Sequence, residues 1–240
     1  MSVAEWKKEG SIAIITMTNG ENRHNPSFVE DMSAAFDAIE GDKEITSVVI
    51  TSNDPKNWSQ GIDLPWLSDR MAKNEAGQIK EFIYGMNGIF KRILTYPMPV
   101  IAAINGHAVA NGAILSCACD FRFMRADKGF FFFPEIDINI PFLPGMIAFC
   151  RKAIPEYFFN EMLLSGRRYT APELAAHHTI LKACENQEAL TAETMAFAQT
   201  LQKKRAIFGE MKKRMHKGAV RVIDTEDPPL IEALRLMAGD

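Results

Sequence analysis

The chain is 240 residues long, 47% hydrophobic, and carries 27 basic against 30 acidic side chains for a formal net charge of −3. That length and apolar share suffice for one substantial core. The near-balance of charge leaves no broad field to attract a polyanion, so nucleic acid is not an expected partner. In chain order, Ile12 to Met17 reads as a strand and Asn19-Gly20 as a turn. A helix follows Asn25-Pro26-Ser27, with Ser27 as the expected cap, Phe28, Met32, Phe36 and Ile39 on one apolar face, and Gly41 at its end. Ser47 to Thr51 is the next strand, and Gln78 to Leu94 repeats apolar residues at helical spacing through Phe82, Met86, Ile89, Phe90 and Ile93. Pro97 and Pro99 stop that helix, and Val100 to Ile104 begins another strand. Strands alternating with helices in this way predict a parallel sheet. Ala113 to Cys119 reads as a buried helix, Phe121 to Met124 and Phe130 to Phe133 as short strands.

The last third is predicted helical: Pro144 to Cys150, Tyr157 to Leu164, a helix opened by Thr170 with Glu173 at the reciprocal capping position, then Leu190 to Arg205, Ile207 to Met215 and Pro229 to Met237. The basic cluster Lys203-Lys204-Arg205 and Lys212 to Lys217 is expected to form a solvated helix face. The N-terminal residues hold no apolar stretch of signal-peptide length, and no apolar run reaches membrane-spanning length. The terminal Ala238-Gly239-Asp240 is not a peroxisomal address of the Ser-Lys-Leu type, so a cytoplasmic protein without a membrane partner is expected. Cys117, Cys119, Cys150 and Cys184 fit no zinc spacing and are expected as reduced structural thiols.

Two turns hold the chemistry. Pro99 to Ala113 runs an apolar strand into the small-residue turn Ala110-Asn111-Gly112, and a similar turn, Ser59-Gln60-Gly61-Ile62-Asp63-Leu64, is read as coming just after the apolar strand Ser47 to Thr51. Free amides from two such turns can converge on one oxygen, although an ordinary strand-to-helix turn also needs small residues. Glu135 follows Phe130-Phe131-Phe132-Phe133-Pro134, and an apolar setting raises a carboxyl pKa toward the range of a general base. On an extended segment Asp137 and Asn139 would share its side and could orient it. His107 is expected as a packed neutral ring, His178 in a strained left-handed position, and Asp63 as a cap for the helix after the first turn.

These segments, in this order and over nearly the whole chain, resemble the enoyl-CoA hydratase/isomerase (crotonase) family. The resemblance implies an α/β crotonase-like (ClpP/crotonase) spiral of ββα units. Residues 1–185 would form the core and residues 186–240 a helical region packing on that core or on a neighbouring subunit in a homotrimer or dimer of trimers. It implies an oxyanion hole made by the amides of Ile62 and Asn111, with Glu135 as catalytic acid/base and residues Ser59, Gln60, Gly61, Ile62, Asp63 and Asn111 binding an acyl-CoA. Coenzyme A enters as part of the substrate, and no metal or redox cofactor is implied. Relatives that hydrate the double bond carry a second glutamate where this chain has Ile114. The resemblance is therefore nearest to the Δ3,Δ2-enoyl-CoA isomerases, with a hydratase, another lyase or hydrolase of the fold, or a non-catalytic acyl-CoA binder as alternatives. Phe82, Tyr84, Met86, Phe90, Phe142 and Met146 are candidates for an acyl pocket, and a late basic residue for the CoA 3′-phosphate.

Overall fold

A computed structural model describes residues 2–236. The strands are β1 (Ala4–Glu9), β2 (Ile12–Met17), β3 (Arg23–His24), β4 (Ser47–Ser52), β5 (Asn57–Ser59), β6 (Gly61–Ile62), β7 (Val100–Ile104), β8 (His107–Val109), β9 (Phe121–Arg125), β10 (Phe131–Phe132) and β11 (Lys182–Cys184). The helices are α1 (Pro26–Gly41), α2 (Leu64–Ala72), α3 (Ala76–Thr95), α4 (Asn111–Ala118), α5 (Pro144–Cys150), α6 (Glu156–Ser165), α7 (Ala171–Ala176), α8 (Gln187–Thr200), α9 (Arg205–Thr225) and α10 (Asp227–Glu232).

The larger sheet has the order β1-β2-β4-β7-β9-β11; β1 runs antiparallel to β2 and every other pairing is parallel. Side chains alternate across it. Ala13, Ile15, Val48, Ile50, Val100, Ala102 and Ile104 face the main core with Phe36 of α1 and Phe90 of α3. Ile12, Ile14, Val49, Ile101, Ala103 and Phe123 face the other way and are covered by Leu190 and Ala198 of α8. The first helix beyond residue 185 thus closes the back of the chain's own sheet.

A second, three-stranded sheet, β10-β8-β5, is parallel throughout. Its strands end at Ser59, Val109 and Phe132, and each is followed within a few residues by a predicted site residue: Ile62, Asn111 and Glu135. Ligands in parallel sheets sit beyond the carboxyl ends of strands, and this small sheet brings its three endings together there.

Several local expectations change. Asn25, not Ser27, caps α1, its Oδ1 accepting from Phe28 N–H at 3.2 Å, because Pro26 fills the first helical position where no N–H is needed. The edge strands β1 and β11 went unpredicted: β1 reads Ala-Glu-Trp-Lys-Lys-Glu, mostly exposed and charged, as suits a sheet edge. Helix α8 stops at Thr200, and α9 runs on to Thr225 rather than Met215. The last predicted helix ends at Glu232, and its expected terminus, Met237, lies outside the described residues. The basic stretch is not uniformly solvated: Lys212 is buried against Asp120 at 2.6 Å, and Arg205 donates to the Glu40 and Ile45 carbonyls at 3.0 Å. The Thr170/Glu173 capping box is present, His178 has φ of 54°, and all four cysteines are buried free thiols.

Candidate active site

The two turns touch. Gly61 has φ of +79°, and a Cβ on it would stand 2.9 Å from both Asn111 N and Val109 O. A Cβ on Gly112 would come 2.5 Å from Ser59 O, so each turn supplies a glycine where the other passes. In the first turn Gly61 N–H donates to Ser59 Oγ at 3.1 Å and Asp63 N–H to His24 O at 2.9 Å. Successive amides of an extended segment point to opposite edges, so Ile62 N–H is turned away from β3. Asp63 then caps α2, its Oδ1 accepting from Trp66 N–H at 3.1 Å.

In the second turn the positive φ falls on Ala110 (φ 52°, ψ −128°) and not on Asn111, although Asn is the non-glycine residue that tolerates such a backbone best. Asn111 is instead the first residue of α4, where its N–H has no intrahelical acceptor and lies at the positive end of the helix dipole. Ala110 is held in this unusual conformation by its own N–H, which donates to Phe132 O at 3.1 Å, and by its carbonyl, which accepts from Ile114 N–H at 3.0 Å.

Glu135 sits in a 3-10 turn, Pro134–Ile136, rather than on an extended segment. The turn rotates Asp137 and Asn139 outward to solvent, which removes them as partners for the carboxyl group. Glu135 is only 7% exposed, its Oε2 has no hydrogen-bond partner, and burial pushes its pKa up to about 8.

Ile62, Asn111 and Glu135 all line one cavity of about 400 Å³. The rest of its wall is largely apolar and includes Phe82, Met86, Phe142 and Met146 from the predicted acyl-pocket set. Tyr84 lies elsewhere, donating to Glu232 Oε1, and Phe90 packs on Phe149 in the core. Among the described residues of the wall, Glu135 is the one carboxylate and Arg23 the one cation, and Ile114 is there too, 2% exposed. Gln60 lines the cavity, whereas Ser59 is fully buried behind it. His107 is a packed ring as expected: it stacks on Phe130 and accepts from Phe130 N–H at 3.2 Å, and burial lowers its pKa.

Sequence reasoning passed over His24. It is fully buried, stacked on Phe28 with ring centroids 4.1 Å apart, and held between the two turns: Nε2 lies 2.9 Å from Ser59 Oγ and Nδ1 2.9 Å from Asn111 Nδ2. Burial pushes its pKa down to about 3. The residue stands in no recognisable motif, so nothing short of the tertiary fold marks it.

The model of the family described as enoyl-CoA hydratase/isomerase matches residues 7–226. Enoyl-CoA delta isomerase 2, peroxisomal, of Arabidopsis thaliana is 31% identical over 170 residues, covering 70% of this chain and 71% of that protein. Enoyl-CoA delta isomerase 3 of the same plant is 26% identical over 91% of this chain and 94% of its own. A putative enoyl-CoA hydratase of Thermus thermophilus is 29% identical over 80% and 78%. The crystal structure of an enoyl-CoA hydratase/isomerase family protein from Pseudomonas syringae superposes with a TM-score of 0.87 over 96% of this chain and 97% of the other, at 23% identity, which establishes the crotonase fold. By that fold and by the family match over residues 7–226, the chain belongs to the enoyl-CoA hydratase/isomerase family.

Proposed function

We propose that the chain is a Δ3,Δ2-enoyl-CoA isomerase, and that the 400 Å³ cavity receives the acyl part of its CoA thioester. Glu135 carries this assignment, as the one carboxylate among the described residues of an apolar wall in which Ile114 stands where a second carboxylate would assist water. The carboxylate of Glu135 takes a proton from C2, the electron pair moves onto the thioester oxygen, and the amides of Ile62 and Asn111 stabilise the resulting dienolate. Glu135 then returns the proton to C4, leaving the double bond between C2 and C3. Each preorganised amide is worth roughly 3 to 4 kcal/mol, by analogy with measured oxyanion holes. An apolar wall suits a step that must not be diverted by water.

We extend the same proposal to assembly and place. Ile207, Met211 and Met215 project at helical spacing from α9 and are each more than half exposed, which supports a contact with further copies of the chain in a trimer. Among the described residues no helix is long and apolar enough to cross a membrane. We assign the chain to the cytoplasm, to be tested by imaging the full-length chain in its own cell.

The deciding assay supplies the wild type with a 3-enoyl-CoA and, separately, with a 2-enoyl-CoA, and follows the conjugated thioester chromophore. The chromophore grows in the first case and persists in the second. Rapid loss of the 2-enoyl chromophore with formation of 3-hydroxyacyl-CoA makes the enzyme a hydratase; no turnover of either makes it a binder.

A further inference from the structure

We infer that His24 is a positioning residue for the oxyanion hole, a neutral strut that fixes the turn bearing the Ile62 amide against the turn bearing the Asn111 amide. The inference rests on the isomerase site proposed above.

The hydrogen-bond inventory fixes the tautomer. Asn111 Nδ2 can only donate, so Nδ1 of His24 accepts and the ring proton is on Nε2, which donates to Ser59 Oγ. Ser59 Oγ also accepts from Gly61 N–H at 3.1 Å and donates its own proton to Asn22 O at 2.7 Å, so both lone pairs and the proton of that hydroxyl are used. The opposite arrangement, with the Asn111 amide turned over and Nδ1 protonated, would require Ser59 to donate to Nε2. Asn22 O would then lie 2.7 Å from a hydroxyl oxygen with no proton between them. A fully occupied Ser59, buried behind the cavity wall, is also no nucleophile despite its 2.9 Å separation from an imidazole.

The geometry explains why such a strut is needed. Asn111 lines the cavity, its N–H has no acceptor within α4, and its side chain rests on His24, so the residue proposed as an oxyanion donor also carries the handle by which its orientation is held. On the other side, His24 and Ser59 bracket Ile62: the His24 backbone O takes Asp63 N–H and Ser59 Oγ takes Gly61 N–H, with Ile62 between. One ring thereby sets the relative position of two amides that must aim at a single oxygen. Small errors in that aim are costly, because oxyanion stabilisation depends on donors preorganised at the position the charge will occupy.

The test uses the intact protein and two readouts. The first is the thioester carbonyl itself: a cinnamoyl-CoA carrying a para-dimethylamino group absorbs at longer wavelength as its carbonyl is polarised, whether or not it turns over. The second is the split between kcat and KM for 3-enoyl-CoA. Three variants cut the strut differently: His24→Leu removes both bonds, His24→Gln keeps a donor near Ser59 and releases Asn111, and Asn111→Ala cuts the same tie while leaving the backbone amide. His24→Leu is expected to lose most of the red shift and to lower kcat about ten- to a hundredfold, with KM changed less than threefold. His24→Gln should lie between Leu and wild type. In the Asn111→Ala background, His24→Leu should cost distinctly less than alone, since the two act through one bond.

A folded His24→Leu or His24→Gln protein with wild-type red shift and kcat overturns the inference, as does strict additivity with Asn111→Ala. Should His24→Leu not fold, the Gln and Asn111→Ala variants decide alone. A wild type that shifts the probe but does not isomerise sinks the reaction assigned to the site and leaves the strut standing; a wild type that does not shift the probe overturns both.

Discussion

The two ends of the short helix α4 treat buried charge in opposite ways. Beyond its C-terminus, Asp120 is 11% exposed in its side chain and paired with a cation, its Oδ2 accepting from Lys212 Nζ at 2.6 Å and from Val100 N–H at 2.8 Å. Arg122 nearby donates to the carbonyls of Ser116, Cys119 and Thr179, so a cation also caps the negative end of the helix dipole. In the cavity to which the N-terminus contributes, Glu135 is buried and one of its oxygens has no partner. A carboxylate paired with a cation and a backbone N–H ties distant elements of the fold together. An unpaired one is held near its neutral form by desolvation, at a cost to stability, which is the environment of a candidate acid or base.

Breaking the unpaired side of this contrast should have the largest effect. Glu135→Gln is expected to lower kcat for 3-enoyl-CoA by at least about a hundredfold while leaving acyl-CoA affinity nearly intact, since general acid–base catalysis contributes ~10² to 10⁴. Steady-state kinetics and equilibrium binding of a saturated acyl-CoA check the two halves. Because the ionised form of Glu135 starts the proposed reaction and burial raises its pKa to about 8, wild-type kcat/KM should rise roughly tenfold per pH unit below 8 and level off above it. The linked stability has the opposite slope. A carboxyl raised from 4.5 to about 8 contributes fully below 4.5 and loses that contribution as pH rises through 8. Urea melts should therefore show Glu135→Gln gaining on the wild type between those values, with the gain levelling off above pH 8.

The paired side is broken by Lys212→Met, which leaves Asp120 buried without its cation. The expected loss is about 3 to 5 kcal/mol of unfolding free energy by urea denaturation. The double variant with Asp120→Asn should recover part of it, because the stranded charge is gone. A Lys212→Met protein as stable as wild type would mean that the pair is incidental and the contrast false.

The smallest expected effect sharpens the geometry between the two ends. Ala110 holds φ of 52° with a methyl group attached, a backbone region that costs a non-glycine residue of order 1 to 3 kcal/mol. Ala110→Gly should raise the thermal midpoint by a few degrees, equivalent to about 1 kcal/mol once the added freedom of the unfolded chain is subtracted. A lower midpoint would show that the methyl packing outweighs the strain.

Much of this arrangement is legible in the amino-acid order, because local physics writes it there. Apolar runs such as Val100 to Ile104 and helical spacing such as Phe82, Met86 and Phe90 set strands and helices directly, and the glycines at 61 and 112 mark where backbones must approach. The apolar approach to Glu135 announces a raised pKa before any coordinate is known. Other features are invisible at that level. Edge strand β1 looks like a charged loop until β2 supplies its pairing, and Lys212 looks solvated until α9 presses it onto Asp120, 92 positions away in sequence. Asp137 and Asn139 leave the site because a 3-10 turn, not a strand, follows Pro134. His24 is the plainest case. Composition and spacing give a histidine before Asn25-Pro26 no distinction, and its role exists only because β3, β5 and the start of α4, separated by up to 87 positions, meet around one ring. Short-range periodicity set the elements and the apolar run before Glu135 marked the candidate acid, while the relative placement of the two turns proposed to aim their amides at one oxygen is a long-range property that the packed fold alone decides.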